Sequence, residues 1–302
     1  PVAPPSGAGG EASHEFAGFV KEQSEGRFEV QVFNGSQLGN EKELLPAMKL
    51  GTVDMNYTTV CILSLFAGAD VLKVTFAPYL FDNAESALEV MNSDFFNEIY
   101  EDVANDTGIR VFSVSGVRSP RAIQTTKGPI NGPEDLKGLK LRVPGVDIFE
   151  RTFQVLGVQT VPLPAGEIYT SLSRGVVDGQ DNGFDYSVPN KFHEVAKYWS
   201  ATDHVYTSVG WMMSQKLWGS ITEADRELLF QAGQEAGLIM TEAALKADKE
   251  AIETLKAAGV EISYPDVAAF RAAFDASGLY DEFEGVAWPE GTVAKIRELQ
   301  SQ

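Results

Sequence analysis

Between Thr222 and Gly259 the chain runs for about 35 residues without a proline, and only Gly233 and Gly237 weaken its helical tendency. Thr222 followed by Asp225 is a capping signal at one end, and Gly259 is a helix stop at the other. At 1.5 Å per residue such a helix is about 50 Å long, more than the width of one small lobe. The span predicts a helix that runs along two lobes, or a coiled-coil arm. Its alanine-rich positions keep no clean heptad of large residues, which disfavours the arm. A length of 302 residues suits one large domain or two modest ones.

The rest of the chain alternates helix and strand patterns, which argues for α/β layers. Phe16, Phe19 and Val20 form the apolar stripe of a first helix ending near Gly26. Phe28–Val32 alternates with period two and reads as a strand. Helices are expected over Glu41–Leu50 and Ala84–Asn105, and a strand over Val111–Val117. Asp147 is expected to cap a helix closed by Gly157. There is also an internal echo. Met48-Lys49-Leu50-Gly51-Thr52-Val53-Asp54 and Leu172-Ser173-Arg174-Gly175-Val176-Val177-Asp178 both read as a helix end, a glycine cap, then a strand. Two similar α/β lobes would carry the unit once each.

Composition narrows the functions. Asp and Glu number 43 against 24 Lys and Arg, a formal charge of −19, and no basic patch interrupts it, so nucleic acid is excluded as a partner. One cysteine, Cys61, allows no intramolecular disulfide and no multi-cysteine metal cluster, and its run Val60-Cys61-Ile62-Leu63 reads as core. The histidines, His14, His193 and His204, have no zinc-site spacing. No apolar run approaches the 18 or so residues of a membrane span. Pro1-Val2-Ala3-Pro4-Pro5 is not a signal peptide, so a leader either never existed or was removed before this numbering. No nucleophile elbow, phosphate loop or dinucleotide fingerprint is present, so no enzyme activity is expected.

Arginine and amide residues carry the functional signal. In Lys140-Leu141-Arg142-Val143-Pro144, Leu141 and Val143 face one way and Lys140 and Arg142 the other, and Pro144 ends the strand. Arg142 then sits at the carboxyl end of a strand, where open α/β sheets bind ligands, and a guanidinium matches a carboxylate bidentately. A surface or salt-bridged arginine fits the same local pattern. Arg118 and Arg121 follow another apolar strand with opposite parity, so one of them is expected to face any given cleft. The run Asp178-Gly179-Gln180-Asp181-Asn182-Gly183-Phe184-Asp185 suits hydrogen bonding to hydroxyls or a carboxylate, or is an Asx-rich turn.

Several motifs together resemble one family. They are Phe33-Asn34-Gly35-Ser36-Gln37-Leu38-Gly39, Leu50-Gly51-Thr52-Val53-Asp54, Pro78-Tyr79-Leu80-Phe81, Pro133-Glu134-Asp135-Leu136-Lys137-Gly138-Leu139-Lys140-Leu141-Arg142-Val143-Pro144, Glu167-Ile168-Tyr169-Thr170-Ser171-Leu172, and Gly175-Val176-Val177-Asp178-Gly179-Gln180 with Asn182. In this order, over roughly residues 28 to 300, they resemble the substrate-binding proteins of tripartite ATP-independent periplasmic (TRAP) transporters, the dicarboxylate-binding type. The resemblance implies a two-lobed α/β periplasmic binding protein fold with a hinge and the long helix spanning both lobes. Residues 1–121 with 208–250 would form lobe I, and 122–207 with 251–302 would form lobe II.

The implied function is capture of a small organic acid in the interlobe cleft and its delivery to a membrane permease driven by an ion gradient. The protein would be a periplasmic monomer without cofactor. An enzyme acting on a small anion, or a ligand sensor of the same fold, are the alternatives. By resemblance Arg142 pairs with the ligand carboxylate, and a second arginine comes from the crossover, Arg121 in preference to Arg118. Asn182 matches a ligand-contacting asparagine and Thr59 another pocket position. Asp185 or Gln180 would serve a calcium-assisted version of the site. The chain departs from the family at Gly183, where proline is common, at Ala165, which is aromatic in sialic-acid binders, and at Gly145 in place of asparagine. Those departures favour a smaller or less hydroxylated acid, with an aliphatic or aromatic tail against Phe184. The family's first strand normally precedes the segment matching Ala3-Pro4-Pro5, so the N-terminus reads as shortened.

Overall fold

In the computed structural model, which describes residues 4–301, the long helix spans Glu223–Ala257, and Thr222 Oγ1 accepts the Asp225 N–H at 3.2 Å. Its buried stripe is made of small residues, among them Ala232, Gly233, Ala236, Gly237 and Ala244. Small side chains let the helix backbone lie almost on its neighbour. A Cβ on Gly237 would stand 1.8 Å from the Ser115 carbonyl oxygen, so only glycine fits there. The opening Pro1–Ala3, on which the leader reading rests, lies outside the described residues.

Among the described residues nine strands form two sheets: β1 (Met55–Thr59), β2 (Ile109–Val117), β3 (Ala122–Thr125), β4 (Lys140–Val143), β5 (Gln159–Pro162), β6 (Gly179–Asn182), β7 (Tyr198–Ser200), β8 (Ser208–Ser214) and β9 (Glu261–Ser263). The first sheet has the order β1-β8-β2 and is antiparallel. The second has the order β5-β4-β6-β3-β7-β9. In it β4 runs parallel to β5 and β6, while β3 is antiparallel to β6 and β7. The chain crosses from the first sheet to the second through 118–121 and returns through 201–207, and the long helix touches β2 near its middle and β9 near its end. Mixed α/β layers around two sheets are what the alternating pattern predicts.

The internal echo has one geometry in both places. Gly51 (φ +78°) and Gly175 (φ +67°) are left-handed residues after the helices Glu41–Leu50 and Ile168–Ser173. β1 and β6 each begin four residues beyond the glycine. Left-handed backbone without a Cβ penalty is the reason for glycine at this turn.

Three local expectations differ from the structure. Phe28–Val32 is extended, with Phe28, Val30 and Val32 half-buried and Glu29 and Gln31 exposed, but it joins no ladder. Its alternation is real while no strand lies at pairing distance. The single helix expected over Ala84–Asn105 is two, Ala84–Met91 and Asp94–Thr107. Asn92 Nδ2 bonds back to Leu88 O (2.9 Å) and across to Val114 O (2.9 Å), and Ser93 turns extended to start the second helix. Asp147 is the first residue of the helix Asp147–Gln154 and not its cap, which is Val146.

The largest core cluster packs Val60–Leu63, Tyr79–Phe81 and Phe96 with Leu141, Val143, Phe149 and Phe153, so one hydrophobic body backs both sheets. Cys61 lies fully inside it, and burial pushes its thiol up to about 12. The C-terminal helices close the same core: Tyr280 donates to Pro78 O (2.5 Å) and Gln300 Nε2 to Leu80 O (3.0 Å).

Candidate functional site

The parallel register of β4 with β5 and β6 brings their carboxyl ends together. Arg142 stands beside Gln180 on one flank and Val161 on the other. Antiparallel β3 enters from the crossover at that same edge, with Ala122 opposite Asn182. The edge faces the first-sheet residues Thr58 and Thr59 across a cavity of about 90 Å³. Arg118, Arg121, Arg142, Asn182, Tyr186 and Phe149 line it with them. A cleft at strand carboxyl ends is where open α/β sheets take ligands.

The three arginines differ in what neutralises them. Arg121 Nε donates to Asp181 Oδ2 (2.6 Å) and its Nη2 to Asp181 O (2.6 Å), and its guanidinium lies between the rings of Phe76 and Phe149 (5.8 and 4.9 Å to the centroids). Arg118 donates to both carboxylate oxygens of Asp185 (3.1 and 3.3 Å) and lies over the Tyr186 ring at 5.2 Å. Burial works against the Arg118 charge, but Asp185 outweighs it and raises its pKa. Arg142 is only 3% exposed, and its Nε donates to Leu163 O at 2.8 Å. No carboxylate lies within salt-bridge distance of it among the described residues. Burial lowers its pKa to about 10, with Asp181 opposing the fall and the Arg121 charge adding to it. A buried guanidinium without a counter-charge is a seat for an anion.

Asp181 anchors the cavity wall from behind. It is fully buried, with Arg121 on one side and His204 Nε2 3.2 Å from Oδ2, while His204 Nδ1 meets Thr202 Oγ1 at 2.8 Å. Burial would raise the Asp181 carboxyl, yet the Arg121 charge and the His204 hydrogen bond hold it well below the usual carboxylate range. Asn182 Nδ2 donates to Gln180 Oε1 (2.7 Å), and Gln180 Nε2 in turn donates to Gln124 Oε1, so the amides form one row that starts at Asn182 on the cavity wall.

The residues singled out in the sequence divide accordingly. Thr59, Arg118, Arg121, Arg142 and Asn182 stand on the cavity wall. Asp185 lines a small pocket of about 50 Å³ next to it, which shares Thr58, Thr59, Arg118 and Tyr186, and is paired with Arg118. Phe184 is not among the residues that line this cavity; it is half-buried and packs on Trp199 at 5.3 Å, against a separate core cluster. The side-chain oxygens of Gln180 and Asp185, considered for calcium, already accept from Asn182 and Arg118. Sequence reasoning missed Asp181 and His204 as a pair, and the Phe76–Phe149 sandwich around Arg121. Asp181 was legible as a carboxylate in the Gly-flanked run. Nothing local marks His204 as its partner.

A second cavity, of about 440 Å³, lies between the extended Phe28–Phe33 segment and the outer edge of β1, over Trp211 and Met213. Its charged lining residues are Glu29 and Asp54, both acidic, so it is unsuited to an anion.

Residues 2–285 match the model of a family described as bacterial extracellular solute-binding protein, family 7. The chain is 32% identical over 267 residues to a solute-binding protein of Roseobacter denitrificans, covering 87% of this chain and 79% of that one. Among solved structures it is similar to a TRAP periplasmic solute-binding protein of Actinobacillus succinogenes with bound L-galactonate, at a TM-score of 0.92, 28% identity, and 99% and 97% coverage of the two chains. It is also similar to one from Xanthobacter autotrophicus with bound β-D-galacturonate, at a TM-score of 0.90, 26% identity, and 99% and 97% coverage.

Proposed function

Because the chain belongs to the bacterial extracellular solute-binding proteins of family 7, we propose that it captures a small organic acid of the sugar-acid class in the cavity around Arg142. The observation that carries this reading is Arg142 itself, buried and without a carboxylate of its own. A ligand carboxylate would supply the missing charge. A bidentate, charge-assisted pair of that kind is worth roughly 1.5–3 kcal/mol net. Relatives with bound L-galactonate and β-D-galacturonate support a polyhydroxylated acid. Thr58, Thr59, Asn182 and Tyr186 on the same wall offer hydroxyl and amide partners.

Closure follows from where the cavity lies. Its two walls come from different sheets, so the ligand touches both only when the sheets close on it, and binding shifts the hinge toward the closed form. Closure also excludes water and strengthens the Arg142 pair. The net charge of −19 repels anions at long range, but physiological salt screens it beyond about 8 Å, so the local arginines decide capture. Delivery to a TRAP membrane permease, a periplasmic location and action as a monomer belong to the same reading. No catalytic step is assigned: the ligand is held and released unchanged.

Thermal-shift screening against hexonates, uronates, C4-dicarboxylates, keto acids and aromatic acids tests it, with calorimetry on the hits. A sugar acid should raise the melting temperature in step with ln(1 + [L]/Kd) and bind one to one. A stabilising ligand without a carboxylate, or turnover of a bound acid, would overturn the reading.

A further inference from the structure

Asp248 lies on the long helix, one turn beyond the small-residue stripe, and takes no part in the cavity wall. Its Oδ1 accepts a hydrogen bond from Ser119 Oγ at 2.5 Å. The same Ser119 oxygen accepts the Asp185 N–H at 3.0 Å. Asp185 then holds the Arg118 guanidinium through both carboxylate oxygens. Ser119 sits between Arg118 and Arg121 in the crossover, where the chain leaves the first sheet, and Asp185 belongs to the short helix that follows β6 in the second. One hydroxyl therefore joins three separate parts of the fold. The join is tight: a Cβ on Gly183 would stand 2.5 Å from Ser119 O and 2.6 Å from Asp185 Oδ1.

Resting on the acid-binding reading above, we propose that Asp248 is a positioning residue for the ligand: through Ser119 and Asp185 it sets where Arg118 presents its charge to the cavity. The carboxylate is an expensive group for that place. Asp185 from the β6 end and Asp203 from the returning crossover both face it, and Arg118 reaches it only through Asp185. Burial, with those two carboxylates, pushes its pKa up to about 6 despite the Ser119 hydrogen bond. A residue with only a packing role at this site would be more stable without the charge.

The test uses the full chain, Asp248→Ala, Asp248→Asn and Ser119→Ala, with the tightest sugar acid of the panel as probe. Asp248→Ala should weaken binding about tenfold, and Asp248→Asn, which keeps the acceptor oxygen, should stay within about twofold of wild type. In an Arg118→Gln background Asp248→Ala should cost nothing further, since both act on one group. In the ligand-free protein the Arg118 Nε–Hε NMR signal should shift in Asp248→Ala and in Ser119→Ala and return in Asp248→Asn. An unchanged affinity in Asp248→Ala, additive losses with Arg118→Gln, or an unmoved Arg118 signal would each overturn the proposal. If wild type binds no acid of the panel, the function reading fails instead, and the Arg118 signal alone decides the relay.

Discussion

Arg142→Met should make the ligand-free protein more stable while abolishing acid binding. The guanidinium is buried, and its ordinary pKa of 12.5 falls to about 10. At 1.36 kcal/mol per pH unit, that fall sets about 3 kcal/mol against the charged form in the folded state. The sign follows from the direction. The folded value lies below the unfolded one, so the folded protein carries the full penalty at pH 7, and escapes it only as pH rises through about 10. Methionine has a similar reach and removes the charge, but it leaves Leu163 O without its donor, which costs about 1 kcal/mol. The net gain is about 1–2 kcal/mol, or a melting temperature higher by about 2–3 °C for a chain of this size.

Differential scanning calorimetry with and without a saturating sugar acid measures both halves of this prediction. Wild type should melt higher with the acid; Arg142→Met should melt higher than wild type without it and gain nothing from it. Arg142→Lys keeps a charge but not the planar fork, so it should retain weak binding and little of the gain. If ligand-free Arg142→Met melts below wild type, the arginine is a structural prop and its missing counter-charge has been misread. If the acid still raises the melting temperature of the methionine variant, the carboxylate binds elsewhere.

Asp181→Asn should destabilise by about 3–5 kcal/mol at pH 7, because it strips the carboxylate from the buried Arg121 and leaves that charge unpaired. Its folded pKa lies below the unfolded value, so the stability it adds is present above about pH 4 and is lost as pH falls below that. Urea midpoints from pH 2 to 7 should therefore slope less steeply below pH 4 in the variant; an identical slope refutes the assignment. Gly237→Ala should cost about 1–3 kcal/mol in a thermal melt, since its Cβ meets the Ser115 carbonyl and not a rotatable side chain. Gly233→Ala should cost less, because its nearest neighbours are Ser113 Oγ and Cβ at 2.7 and 2.8 Å, against backbone atoms at 1.8 and 2.3 Å for Gly237.

What the sequence made legible was whatever is settled within one or two turns of chain. Thr222, Asp225 and Gly259 bracket the long helix because capping is local, and Gly51 and Gly175 mark the repeated turn for the same reason. Phe28–Val32 misled because alternation reports which faces are buried, while a strand also needs a partner backbone, which periodicity cannot supply. The site shows the same division. Arg118, Arg121 and Arg142 are three similar signals in the chain, and nothing near them separates a structural cation from a binding one. The separation is made by carboxylates 60 and 67 residues away: Asp181 occupies Arg121 and Asp185 occupies Arg118. Asp181 lies on β6 and Asp185 on the short helix after it, both against the crossover, so the fold gives two guanidinium groups a carboxylate partner and leaves the third, one strand further along, without one.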